Sequence, residues 1–526
     1  MTSLMGDELP PPDLTCRLLI SVLLLTALCD VVIYRGQGFA GIAALLVGAP
    51  LLMCLARFRP RRKVDLAIVS GLLIGLAARL LWSGSAPAVV MGFALLAAFA
   101  MTLSGLRPYV IETIVFGSQT VAAGVVSGVA VARTMRGSRI APSRLGWLSV
   151  AFPLGAAVSF GLLFLLANPD LLSSLGNQLE YFFTNFRRLI LEFAPGPTEI
   201  VFWGAVIWIA TGMLRPIMQG TLFEEKASAN ASEAGTTHEA TRPAPLYAAF
   251  RNTLITVIVL FAVYLAYEFM AMRRGTVPEG LNYSQYAHEG AFWLTVALAL
   301  ATAMLSLVFR GAMLADARMP RLRRLAWIWS LENFLLAVAV YHRLMIYIGF
   351  NGMTRLRVVA LLGISCVVVG FLMVLRKIAA GHGFVWLVRR QLWTLVAFVY
   401  LYMVTPVDAL VMRYNVQRIL AGDMAPCVQI SVHTIDAEGI LQLPLLLDCD
   451  NETIREGVRA LLSTRFDRAK ADAAKPGSDH WTAFQWSKRD MLRRLDALGP
   501  ELHSFESPRQ RTQVFRDFRD YAYQWY

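Results

Sequence analysis

Apolar and polar positions alternate along this chain in long blocks. Runs of about 18–25 apolar residues, the length of a helix that crosses a bilayer, are separated by short polar or basic connections. The pattern predicts about eleven membrane spans, at residues 15–33, 39–56, 64–82, 88–106, 145–167, 198–214, 245–272, 290–309, 325–348, 358–375 and 391–407. Lipid offers the backbone no hydrogen-bond partner, so the spans must be helices. The expected fold class is all-α: a polytopic transmembrane helix bundle with a small helical extracytoplasmic C-terminal domain.

Two apolar stretches break the simple pattern. Residues 109–132 carry Glu112, Gln119 and several glycines, and lead into Arg133, Arg136, Arg139 and Arg144. A full span would move those arginines to the outside, so the positive-inside rule favours an interfacial or re-entrant segment, with an ordinary span as the alternative. In 171–193, Leu175, Leu179, Phe182, Phe183, Phe186 and Ile190 recur at helical spacing opposite Gln178, Glu180, Asn185 and Arg187, which predicts an interfacial amphipathic helix. Residues 215–244 are polar and lack periodicity, as in a flexible loop. The resulting layout is an N-terminal tail (1–14), an N-terminal bundle (15–214), the loop (215–244), a C-terminal bundle (245–408) and a helical tail (409–526).

Composition agrees with a membrane protein. Of 526 residues, 56% are hydrophobic, and mean hydropathy is +0.54. The net charge of +13 sits in short loops between apolar blocks and serves topology, which removes nucleic acid as a partner and leaves the lipid bilayer. Arg57-Phe58-Arg59-Pro60-Arg61-Arg62-Lys63 places five cations in seven positions and fixes that loop on the cytoplasmic side. Counting spans from it makes the N-terminus cytoplasmic and everything after Asp408 extracytoplasmic, in a bacterial inner membrane. The first fourteen residues hold Asp7, Glu8 and Asp13 and no Lys or Arg, so no cleavable signal is expected.

Of six cysteines, only Cys427 and Cys449 lie in the tail. An isolated pair in an oxidising compartment predicts a disulfide, with two buried thiols as the alternative. The tail reads as three helices, at 451–462, 479–498 and 507–525. The last is densely aromatic (Phe515, Phe518, Tyr521, Tyr523, Trp525, Tyr526), either to pack the tail or to touch a membrane or partner.

Ionisable groups at membrane depth are costly and therefore functional candidates. The block at 325–348 contains Glu332, Asn333, His342 and Arg343. Glu332 and Arg343 lie eleven positions apart, nearly three turns, so they share a face. At 1.5 Å per residue they are about 16 Å apart along the axis and cannot pair with each other. Asp30, Glu112, Glu268 and Asp408 are the candidate partners. In the following turn, Gly349–Arg357, Arg355 and Arg357 run against the positive-inside trend and call for a lipid phosphate, a bound anion or an acid such as Glu289. His288-Glu289 is too small a set for a metal, and no phosphate loop, nucleophile elbow or zincin helix occurs, so no metal, cofactor or catalytic residue is expected.

Four stretches carry a resemblance: Tyr283-Ser284-Gln285-Tyr286-Ala287-His288-Glu289-Gly290, Tyr341–Ile348, Gly352-Met353-Thr354-Arg355-Leu356-Arg357, and Pro406–Asn415. Over about 282–415 the chain resembles a family of bacterial polytopic membrane proteins, the four-one-seven-three group of domains of unknown function. The resemblance implies the helical membrane architecture and brings no activity with it. In the topology above these turns share one side, which defines a candidate outer-face polar cluster: Tyr283, Tyr286, His288, Glu289, Arg343, Tyr347, Thr354, Arg355, Arg357, Asp408, Arg413 and Asn415.

The favoured function is a non-enzymatic sensor, scaffold or accessory subunit working from its outer face beside a membrane or extracytoplasmic partner protein. The alternative is a transporter or lipid-handling protein with a polar cavity near Glu332 and Arg343. An enzyme acting on a lipid-linked substrate ranks third.

Overall fold

The computed structural model describes residues 16–56, 63–120, 195–214, 247–274, 296–297, 300, 318–502 and 505–524. Among these the structure is helical, with no strand. Among the described residues nine helices are long and apolar enough to cross a membrane. They correspond to nine of the eleven expected spans. The other two, 145–167 and 290–309, fall outside the described residues apart from positions 296, 297 and 300, as do the expected helix at 171–193 and the loop at 215–244. Leu51, Val64, Val90 and Val201 are each 68–72% exposed along these helices, the apolar exposure that marks a membrane or protein contact.

The chain forms two compact units. In the first, α1 (Cys16–Cys29) runs into a π-helical turn, Asp30–Tyr34, and packs on α5 (Pro197–Leu214). The polar groups at that end satisfy one another. Trp203 Nε1 donates to Asp30 at 2.8 Å, and Arg35 reaches Asp30 at 2.9 Å and Glu199 at 2.6 Å.

The second unit takes in α2 (Phe39–Ala56) up to Pro50, then α3 (Lys63–Trp82), α4 (Ala86–Leu103), α6 (Tyr247–Arg274), α7 (Met319–Asn351), α8 (Arg355–Ala380) and α9 (Phe384–Val404). Close packing uses small residues. A side chain at Gly75 would strike the Tyr400 hydroxyl at 2.6 Å, and one at Gly92 would strike Leu46 at 2.9 Å. Residues 110–120 of the ambiguous 109–132 stretch are helical; 121–132 lie outside the described residues. Glu112, fully buried, accepts from Arg389 of α9 at 2.6 Å, and the same guanidinium stacks on Tyr109. At 33 residues α7 is about 50 Å long, well beyond the ~30 Å of a hydrocarbon core. Its first turns carry Arg321, Arg323 and Arg324, ahead of the apolar run.

After α9 the chain continues as α10 (Val407–Leu420), α11 (Cys427–Val432), α12 (Ala437–Ile440), a 3-10 turn (Leu443–Asp448), α13 (Glu452–Ala473), a 3-10 turn (Trp481–Ala483), α14 (Trp486–Ala497), α15 (Gly499–Leu502) and α16 (Pro508–Tyr523). They share one core that includes Val411, Ile430, Leu446, Ile454, Leu462, Phe466 and Phe518. Asn451 caps α13 through Ile454 N–H, and Ser507 caps α16 through Gln510 N–H. The helix expected from 479 begins only at Trp486. Gly477 at φ +85° and the His480 ring, which accepts from Thr482 N–H, turn the chain first. Of the terminal aromatics, Phe518 is fully buried and Tyr523 is half-exposed, while the Tyr521 hydroxyl accepts from Asn451 at 3.0 Å. Trp525 and Tyr526 lie outside the described residues.

Candidate functional site

The connection between α7 and α8 is built around one glycine. Gly352 closes α7 with φ +86°, a conformation nearly reserved for glycine. A Cβ there would also meet the Asn415 side chain at 2.7 Å and Pro426 at 2.9 Å. Two residues on, Thr354 caps α8 by accepting from Arg357 N–H at 3.2 Å.

The last carbonyls of a helix have no partner within it. Here side chains from the helices that follow α9 supply the donors. Arg418 of α10 donates to Ile348 O at 2.9 Å and Gly349 O at 2.5 Å, and is itself held by Asp423. Gln429 of α11 donates to Asn351 O at 2.8 Å. Arg357 donates to Gly352 O and lies over the Tyr347 ring, 3.8 Å from its centroid. Asn415 pairs with Met353 through both of its amide groups.

Arg355 closes the arrangement. Its guanidinium forks onto both oxygens of Asp408, which is 3% exposed in the first turn of α10, and reaches Asp436 at 3.0 Å. Asp408 accepts in addition from Asp436 N–H at 2.7 Å. A carboxylate in a first helical turn that meets a bidentate arginine and a backbone donor has its acceptor positions well used.

Of the residues singled out from sequence, Tyr347, Thr354, Arg355, Arg357, Asp408 and Asn415 therefore converge. Arg413 is exposed on α10. Arg343 pairs instead with Glu268 of α6, donating from Nε at 2.6 Å and also from Nη2; of the four acids considered for it, Glu268 is the partner. Glu332 Oε2 and Asn333 Oδ1 have no hydrogen-bond partner among the described residues, while Asn333 Nδ2 donates to Trp329 O at 2.7 Å. His342 is exposed on α7. Tyr283, Tyr286, His288 and Glu289 lie outside the described residues. Arg418, Gln429 and Asp436 were not anticipated. Their partners are mainly backbone groups and a distant loop, and only the position of Arg418 in the last turn of an amphipathic helix hinted at a capping role.

The bridge expected between Cys427 and Cys449 is absent. Both are free thiols packed in the apolar core. Burial, with Cys449 and Asp423 nearby, pushes the Cys427 thiol up to about 12, so the thiolate that oxidation requires is scarcely populated. Among the described residues no three His, Cys, Asp or Glu side chains converge as metal ligands.

No curated protein and no solved structure matches the chain. A family match extends over residues 19–441, well beyond the 282–415 that carried the sequence resemblance, and its group number is 4153 where that resemblance pointed to 4173. With most of its length matched, the chain belongs to the family described as "Domain of unknown function (DUF4153)".

Proposed function

We propose that this multi-pass membrane protein is a non-enzymatic sensor, scaffold or accessory subunit that works from its outer face. In this reading it sits in a bacterial cytoplasmic membrane with its N-terminus inside. The basic connections Arg57–Lys63 and Arg318–Arg324 support that orientation. The helices from Val407 onward then form an extracytoplasmic platform for a membrane or extracytoplasmic partner.

The observation that carries the proposal is how the polar groups of the α7–α8 turn are used. Arg355, Arg357, Asp408, Asn415 and Arg418 are all engaged within the chain. A catalytic or substrate-binding centre needs groups left over for its substrate, whereas these hold a platform rigidly to two spans. The alternative, a transporter or lipid-handling protein, draws on Glu332, whose Oε2 has no partner among the described residues.

The test compares the full chain with its Arg355→Leu form, purified from native membranes in mild detergent and also reconstituted alone in liposomes. The scaffold reading expects one partner in fixed ratio, its loss in Arg355→Leu while the chain stays in the membrane, and no solute flux through the chain alone. Flux through the reconstituted chain that Glu332→Gln abolishes overturns it in favour of transport.

A further inference from the structure

The segment from Trp481 to Arg494 has a composition and a location that the scaffold does not use. Trp481, in the 3-10 turn, and Trp486, at the start of α14, are 51% and 57% exposed, although tryptophan is highly buried on average. Lys488, Arg489, Arg493 and Arg494 are exposed on the same twelve-residue helix, α14. Its one buried acid, Asp490, is held by Arg493 at 2.6 Å and Arg494 at 3.1 Å, yet those arginine side chains remain 79% and 59% exposed. Each can take a second anionic partner. A groove of about 510 Å³ runs between Phe484, Trp486, Arg489, Asp490 and Arg493, within the ~300–1,000 Å³ typical of ligand pockets.

The location is given by contacts with the membrane helices. Gln37, two residues before α2, donates from its backbone N–H to Thr482 Oγ1 at 2.9 Å. A Cβ on Gly38 would meet Ala483 at 3.0 Å, and one on Gly477 would meet Gln37 at 3.1 Å. α14 touches α3, whose last residue, Trp82, is 38% exposed. The segment thus lies at the ends of spans α2 and α3, the level where headgroups meet hydrocarbon. Tryptophan is enriched at that level, and arginine there binds lipid phosphate.

We propose that Trp481–Arg494 is a lipid-interface anchor: the two tryptophans lie in the interfacial layer, and the Phe484–Arg493 groove takes the phosphate of an anionic phospholipid between Arg489 and Arg493. These arginines are one helical turn apart on the same face. Phe484 and Trp486, in edge-to-face contact at 5.9 Å, form an apolar wall for the glycerol and upper chain. This inference rests on the spans crossing a membrane and is independent of the scaffold role.

The test is amide hydrogen exchange of the full chain in nanodiscs of phosphatidylcholine, with and without phosphatidylglycerol. Each surface arginine contributes about fivefold to attraction toward an anionic leaflet. Exchange over 481–494 should slow when phosphatidylglycerol is present, and R489Q/R493Q should remove roughly 25-fold of that preference. Exchange in α13 reports whether the fold is intact; if the variant unfolds, the two compositions compared on the unaltered chain still decide. Protection that is equal in both compositions, as a protein segment covering the patch would give, or that survives the double substitution, overturns the proposal.

Discussion

The Asn415 side chain and the Met353 backbone bond to each other twice. Met353 N–H donates to Asn415 Oδ1 at 2.7 Å, and Asn415 Nδ2 donates to Met353 O at 2.9 Å. A side-chain amide here imitates a peptide group and replaces the strand partner that a helix-connecting turn lacks. Asn415 is fully buried, so water cannot substitute if the pair is broken.

Asn415→Leu should therefore leave a backbone donor and an acceptor unsatisfied, a cost of about 2–3 kcal/mol. Gly352→Ala should cost a similar amount, from left-handed backbone strain and from contact with Asn415 and Pro426. Gly363→Ala is the control. It lies inside α8 with nothing within 4 Å of the place its methyl group would take, and alanine there should be neutral or stabilise by about 1 kcal/mol. Thermal unfolding of the three forms in one detergent checks the ordering; a Gly352→Ala form as stable as Gly363→Ala would sink it.

Glu268, 2% exposed on α6, and Arg343, 13% exposed on α7, form a buried pair between two apolar helices. Removing one member strands a buried charge, at about 3–5 kcal/mol, whereas replacing both with apolar residues is close to neutral. Arg343→Leu should thus lower the amount of chain in the membrane, and Arg343→Leu with Glu268→Leu should restore most of it. Quantitative immunoblotting of membrane fractions separates the cases. Full abundance of the single variant would mean the pair has a role other than holding α6 to α7.

Hydropathy blocks made the nine spans legible because each must bury its whole backbone in lipid, a constraint that acts over about twenty consecutive residues. The cluster was legible in part. Charges set against the positive-inside trend marked Arg355 and Arg357, and an acid inside an apolar block marked Glu268. Which acid met which base was not, since the pairs are separated by 53 positions for Arg355–Asp408 and 75 for Arg343–Glu268. Arg79 and Glu438, 359 positions apart and 2.9 Å from each other, left no local trace at all. A long-range bond from a side chain to backbone, such as Gln429 to Asn351 O across 78 positions, leaves no pattern of residue types, unlike the local caps at Thr354, Asn451 and Ser507. For Cys427 and Cys449 the residue pattern left a disulfide and two buried thiols both open, and the structure holds two buried thiols.

Gly457 on α13 faces Phe518 on α16, and a Cβ would overlap the phenylalanine side chain. Gly457→Val should therefore force α16 away from α13 and cost more than the ~1–3 kcal/mol usual for overpacking. Phe518→Ala should cost about 3–5 kcal/mol through the cavity it leaves. Combining the two should cost less than the sum, because the cavity admits the valine. Hydrogen exchange in α16 reports the loss, and strictly additive effects would show that the helices do not meet at this point.

The buried Cys427 thiol predicts an alkaline limit to stability. Burial raises it from an ordinary value of 9.0 to about 12. Between those values the unfolded chain has released the proton and the folded chain still holds it. Folding is then proton-linked with a negative slope: stability is fully present below about pH 9 and declines by about 1.4 kcal/mol per pH unit until about pH 12. Cys427→Ala removes this term and leaves the other alkaline titrations in place. Melting temperatures of both forms in detergent at about pH 8 and about pH 10, on either side of the ordinary thiol value, should therefore drop further for the unaltered chain than for Cys427→Ala. The thiol should also resist maleimide at the lower pH until the chain is denatured, and reduction should not change the mass. Equal pH dependence in the two forms, or rapid labelling of the folded chain at Cys427, would place this thiol outside the core.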